Sequence, residues 1–323
     1  MSKDEPPPYD YSSAPTTAPS STHPWQAVPD TADRAEDHPP PPVLGRLRSE
    51  VSNASTADSD RALDYCNKNP LWPPINPPDD TYASVASAFN HGLWAAPEFR
   101  GRLQPRPGRW WAVRSEPSCG DCLLATCLPM YFAHRDSPAV TGGLRTIYFE
   151  VTIQRILPPS SSRQGGSGGG ADASGLSLGY LALPYPTWRS PGWERGSLGV
   201  FSDDGARFVN DPNGGKAFTE PFRQGETVGL GMRFNLPIIV DQTQSGQIKR
   251  NSPLPPVSAH VFFTRNGREV GGWDVHEERD KDEGDVVGLE GDFDLYGAIG
   301  VFGGVEFEAC FAPDGLLWRE SGK

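Results

Sequence analysis

The sequence predicts an all-β protein, an antiparallel sandwich of two sheets behind a disordered, proline-rich N-terminal tail. Three observations carry this. Short runs of strict apolar and polar alternation recur from Arg109 onward, as expected of strands with one buried and one solvated face. Each run is bounded by Gly, Pro, Asn or Asp, and no helix-length periodic segment lies between runs to supply a parallel crossover. Gly (36) and Pro (34) are abundant while hydrophobic residues make up 36% of the 323, which suits a turn-rich fold with flexible segments.

Taken in order, Met1 to about Asp80 is Pro, Ser, Thr, Ala and charge with almost no aliphatic period. Such a stretch buries too little apolar surface to offset the entropy of ordering, so residues 1–80 are expected to be disordered. A short helix is expected around Ala83 to Phe89, leading into a folded domain over 91–320. The clearest strand is Thr146 to Arg155, with Ile147, Phe149, Val151 and Ile153 facing the core and Tyr148, Glu150, Thr152 and Gln154 facing solvent. The same period returns at Leu176, Leu178 and Tyr180, at Leu198 and Val200, and at Ala259, Val261 and Phe263. That last run ends in Asn266-Gly267, the dipeptide favoured in type I′ hairpins because both central residues need positive φ. A final strand sets Val305, Phe307, Ala309 and Phe311 inward against Glu306, Glu308 and Cys310. Three insertions, at about 158–175, 236–256 and 277–294, are expected to be mobile surface loops, since closure entropy grows only logarithmically with length.

The formal net charge of -12 opposes a phosphate backbone, and no basic stripe with interleaved aromatics overcomes it, so nucleic acid is not an expected partner. The polar start, Met1-Ser2-Lys3-Asp4-Glu5, resembles neither a signal nor a transit peptide. No membrane-spanning segment is expected, because no apolar run approaches ~20 residues; the nearest, Leu123 to Phe132, is broken by Pro129. An odd number of cysteines, five, argues against a disulfide framework and for a reducing, cytoplasmic setting.

Cys119, Cys122 and Cys127 invite a metal reading with His134 as fourth ligand, but no second C-x-x-C or H-x-x-x-H follows. Cys122 and Cys127 stand among Leu123, Leu124 and Leu128, and buried cysteines acting as small hydrophobes are the preferred reading. Gly165 to Gly169 matches a nucleophile elbow only formally, lacking the strand before and the helix after. Asp203, Asp204, Asn210, Asp211 and Asn213 fail the spacing of a calcium loop and read as turn formers. No catalytic residue, metal or cofactor is therefore expected.

Pro6-Pro7-Pro8-Tyr9 fits the PPxY pattern. Its prolines favour a polyproline II helix that packs into an aromatic groove, and Tyr9 adds an amphipathic anchor. Pro39 to Pro42 and Pro77-Pro78 lack the following Tyr and read as linker. Tyr185, Trp188 and Trp193 cluster in a Pro-rich loop. Loops on a rigid scaffold are the usual place for recognition. Capping of the core is the alternative reading for all three aromatics, and the preferred one for Trp193.

In succession, Tyr148-Phe149-Glu150-Val151, Gly192-Trp193, Ser202-Asp203-Asp204-Gly205, Gly225-Glu226-Thr227-Val228-Gly229, Phe262 to Gly267 and Leu295-Tyr296 resemble the punctuation of the SPRY domain. The likeness covers roughly His91 to Glu320. It is nearest to fungal SPRY adaptors that carry PPxY motifs in endosomal and vacuolar sorting, and next to Ran-binding-protein-like SPRY scaffolds. Those adaptors usually carry a membrane-spanning segment ahead of the domain, and this sequence shows none, so a peripheral place at endosome or vacuole is what the likeness implies. SPRY domains commonly bind a short peptide through loops at one end of the sandwich. In SOCS-box members a Val-Trp-Gly triple helps form that pocket, and Val301-Phe302-Gly303 occupies the matching place. Arg135 and Pro138 lie one residue off the spacing of an Arg and a Pro in the same relatives. The likeness thus implies a non-catalytic adaptor whose loops hold a client protein and whose Pro6, Pro7 and Tyr9 recruit a WW-domain HECT ubiquitin ligase. The rival readings are a scaffold subunit with the tail a spacer, and a metal-dependent enzyme at the Cys119 cluster.

Overall fold

Side chains from two sheets interdigitate to form the core, as the alternation requires. The computed structural model describes residues 55–86, 92–107, 110–158, 174–212, 215–236, 257–278 and 285–320, all within the unit Arg46–Lys323. Four α-helices occur among them: α1 (Thr56–Lys68), α2 (Asp79–Ala86), α3 (Ala133–Asp136) and α4 (Pro138–Thr141).

The strands are β1 (Leu93–Ala95), β2 (Gly101–Arg106), β3 (Trp110–Ser115), β4 (Cys122–Thr126), β5 (Arg145–Ile156), β6 (Gly175–Leu181) and β7 (Ser197–Phe201), then β8 (Ala206–Val209), β9 (Lys216–Ala217), β10 (Thr227–Asn235), β11 (Ser258–Arg265), β12 (Arg268–Asp274), β13 (Tyr296–Phe302) and β14 (Val305–Cys310). One seven-stranded sheet runs β1-β4-β13-β6-β7-β8-β9 and the other β12-β11-β10-β5-β14-β3-β2. Neighbouring strands pair antiparallel, for example Ile299 opposite both Leu124 and Leu178, and Leu230 opposite both Phe149 and Phe263. The fold class expected from sequence is the one found.

Leu124, Ile299, Leu178 and Val200 of the first sheet meet Phe149, Leu230, Phe263 and Phe307 of the second in one buried cluster. Tyr180 bridges the layers: its ring sets its edge against Phe149 at 5.6 Å and its hydroxyl donates to Leu230 O at 2.9 Å. Asn266 (φ 49°) and Gly267 (φ 75°) form the expected β11–β12 turn, and Asn266 Oδ1 accepts from Thr227 N.

Five expectations are corrected. The stretch 55–80, assigned to the tail by composition, contains α1 and an extended segment that docks on the sandwich. Helix α2 begins at Asp79, four residues before the expected Ala83. The outward face of β5 is not wet at Tyr148 and Glu150, which are both buried. A C-terminal segment covers them: Glu150 accepts from Leu317 N at 2.7 Å, and Trp318 packs against Tyr148 and Phe262. Gly231 of β10 makes room on that face, since a Cβ there would lie 2.2 Å from the Phe262 ring. Cys310, read as outward, is buried beside Ala312. Within the third insertion, Val286 and Leu289 are fully buried, so these two side chains anchor 285–294 to the core in place of the expected mobile loop. Residues 159–173, 237–256 and 279–284 of the insertions, and Pro6, Pro7 and Tyr9, lie outside the described residues.

Candidate peptide-binding face

Small residues floor the outer face of the first sheet. Gly179 of β6, Gly199 of β7 and Gly300 of β13 leave space that Pro191 fills; a Cβ on Gly179 would sit 2.6 Å from Pro191 Cβ. The β6–β7 loop, 182–196, thereby folds flat over the sheet as a lid. Its own polar groups hold it: the Tyr185 hydroxyl donates to Ser190 O at 2.6 Å and accepts from Glu194 N at 3.2 Å. A buried Arg189–Glu194 pair at 2.7 Å lies beside it, with the Arg189 guanidinium 4.5 Å above the Trp193 ring. Trp193, Phe201 and Phe302 form a separate apolar cluster beneath.

Carboxylates gather at this lid. Burial, chiefly, pushes the Asp121 carboxyl up to about 7, with the charges of Asp58 and Asp203 adding and Arg189 opposing. Asp203 is pushed up to about 6, again chiefly by burial and then by Asp204. Burial also raises Glu194, against the pull of Arg189. Asp121 Oδ1 and Asp203 Oδ1 are buried with no hydrogen-bond partner, as are the Ser177 and Ser190 hydroxyls.

The residues singled out from sequence fall in three places. Tyr185, within the lid, and Phe302, at the end of β13, are both buried, so Tyr185 offers no surface in this conformation. Val301 is fully buried in the core, and Gly303 (φ 61°) turns β13 into β14, its N–H donating to Cys119 O and its carbonyl accepting from Ser115 Oγ. Trp193 is buried, in accord with its core-capping reading. Trp188 stands on the outside of the lid, where α1 meets it: Arg61 lies 3.5 Å over its ring, Tyr65 sets an edge at 5.7 Å, and its Nε1 donates to Asp58 O. Arg135 of α3 pairs with Asp79 at 2.7 Å and stacks over Tyr82 at 4.7 Å, while Pro138 is the buried first residue of α4. The structure therefore does not bring these residues into one site: Tyr185 and Phe302 are buried in separate clusters, Trp188 stands outside the lid, and Arg135 alone of the α3–α4 pair meets α2.

Sequence reasoning missed Arg61, Leu71, Arg189 and Arg195. The available signal was the run Pro70-Leu71-Trp72-Pro73-Pro74-Ile75, which carries apolar side chains at extended spacing inside a tail otherwise short of them.

Cys119 and Cys122 are buried with sulfurs 3.6 Å apart. Their shared hydrogen bond lowers the Cys119 thiol to about 7 despite burial, and raises that of Cys122. Cys127 is exposed, contrary to the expectation that it is buried among leucines. Among the described residues no group of three or more His, Cys, Asp or Glu stands together as a metal site, and no helix is long and apolar enough to cross a membrane.

No family model matches the chain. It is 28% identical over 146 residues to protein ssh4 of Sclerotinia sclerotiorum, covering 45% of this chain and 21% of that protein. It is 32% identical over 93 residues to a SPRY domain-containing protein of Schizosaccharomyces pombe, covering 29% and 18%. The chain thus spans about a fifth of the length of these relatives. A solved human SPRY domain aligns at TM-score 0.38 and 18% identity over 68% of this chain and 97% of that one. With its sandwich established by its own strand pairing, the chain resembles the fungal SPRY-domain proteins of the Ssh4 kind.

Proposed function

We propose that the chain is a non-catalytic adaptor. Loops at the lid face hold a client protein, while Pro6, Pro7 and Tyr9 recruit a WW-domain HECT ubiquitin ligase that modifies the client for endosomal or vacuolar sorting. The observation that supports it most is the treatment of Trp188 and Arg135: both sit on a rigid sandwich and both engage a peptide segment through ring and guanidinium contacts. These residue types dominate protein recognition elsewhere. Binding of a PPxY peptide is typically micromolar, about -8 kcal/mol, so tethering client and ligase through one chain raises their effective concentration.

Tyr9→Ala tests the tail. It is expected to abolish capture of a HECT-ligase WW domain in pull-downs with the thermal transition of the sandwich unchanged; undiminished capture would remove the tail's role.

A further inference from the structure

We propose that residues 55–82 form an intramolecular latch that occupies the client-binding face, and that a client binds by displacing it. The inference rests on the adaptor reading above.

Helix α1 is capped by Ser55, whose Oγ accepts from Asp58 N, and it lies against Trp188. Arg195 then anchors its end, donating to Cys66 O at 3.4 Å and to Asn69 O. Beyond it the chain runs extended: Trp72 N donates to Leu183 O at 2.7 Å and Ile75 N to Asp294 Oδ2 at 2.8 Å. Just ahead of those two contacts, Leu71 seats its methyl groups over Gly196 and Gly288; a Cβ on Gly288 would lie 2.8 Å from Leu71 Cδ1. The segment closes at Tyr82, whose hydroxyl donates to Asp136 at 2.6 Å beside the Asp79–Arg135 pair. Along residues 69–78 the covered surface meets an extended, proline-flanked stretch, with Leu183 O and the Asp294 carboxylate as acceptors spaced along it.

Three features make the segment releasable. Only Ala62 and Cys66 of α1 are buried, whereas an isolated helix shorter than about 12 residues is already marginal and one of this length gains little on its own. Its largest apolar side chains, Leu63, Trp72 and Ile75, point to solvent. Its remaining contacts are polar, cation–π or ring-edge, the last from Tyr65 on Trp188 and Tyr82 on Phe132. The sandwich core contains none of its side chains except the partly buried Leu71. In such an arrangement the apparent affinity for a competing peptide falls by the fraction of molecules in the open state.

The test uses the full chain and, as probe, a fluorescent peptide of residues 55–82 supplied in trans. Wild-type protein is expected to bind it poorly because the groove is filled. Arg61→Ala with Leu71→Asp, placed in the chain but not in the probe, is expected to tighten probe binding by roughly tenfold or more as the closed state is lost. Adding Trp188→Ala should then abolish it. Hydrogen exchange across β5 and β10 is read in parallel and is expected to stay protected. Unchanged probe binding in the loosened chain, or loss of protection throughout the sandwich, overturns the latch. The client reading fails separately, if Trp188→Ala and Arg135→Ala lose no partner from cell extracts while the probe still binds the loosened chain.

Discussion

Asp121 shows how a single buried charge sets a pH dependence. Its carboxyl is raised to about 7 by burial, with Oδ1 lacking a partner. A carboxyl whose folded pKa is raised contributes stability that is fully present below its unfolded value of about 3.8 and is lost as pH rises through the folded value. Wild-type stability is therefore expected to fall between roughly pH 4 and pH 7. Asp121→Asn, which cannot ionise, should be more stable than wild type at pH 8 by about 1–3 kcal/mol and nearly equal at pH 4. Urea melts at the two pH values measure this, and an equal offset at both would refute the burial argument. None of this was legible in the sequence, where Asp121 stands between Gly120 and Cys122 with nothing to mark it as buried.

At the scale of elements, alternation identified β5, β6, β7, β11 and β14 because core contacts repeat every second residue along one face. It misassigned Tyr148 and Glu150 because their cover comes from Leu317 and Trp318, over 160 residues away in sequence. Composition misassigned α1 for a related reason: polarity of the exposed face hides a helix whose support is tertiary, from Trp188 and Arg195. The lid was half visible. Its aromatics stood out, but the glycine floor beneath Pro191 becomes meaningful only once β6, β7 and β13 are neighbours. Gly179→Ala should lift the lid, since the added methyl meets Leu198 O as well as Pro191; a loss of about 1–3 kcal/mol is expected in urea denaturation. Glu150→Ala should release the C-terminal segment and cost about 1–3 kcal/mol by removing the acceptor of the Leu317 and Trp318 N–H groups. Hydrogen exchange localised to 310–320 would report it, and a change spread evenly over both sheets would count against a local clamp.

Across the whole molecule, the proposed function divides recognition between a PPxY motif in the first ten residues and a lid face far along the chain at 182–196. A long connector can bring the partners of both together because its cost of closure grows slowly with length. The most direct test of this division of labour is affinity purification with mass spectrometry on three baits: wild type, Tyr9→Ala and Trp188→Ala. The account predicts that Tyr9→Ala loses a WW-domain HECT ligase and keeps the remaining partners, while Trp188→Ala keeps the ligase and loses the client. Simultaneous loss of both sets in either variant, or loss of neither, would contradict it.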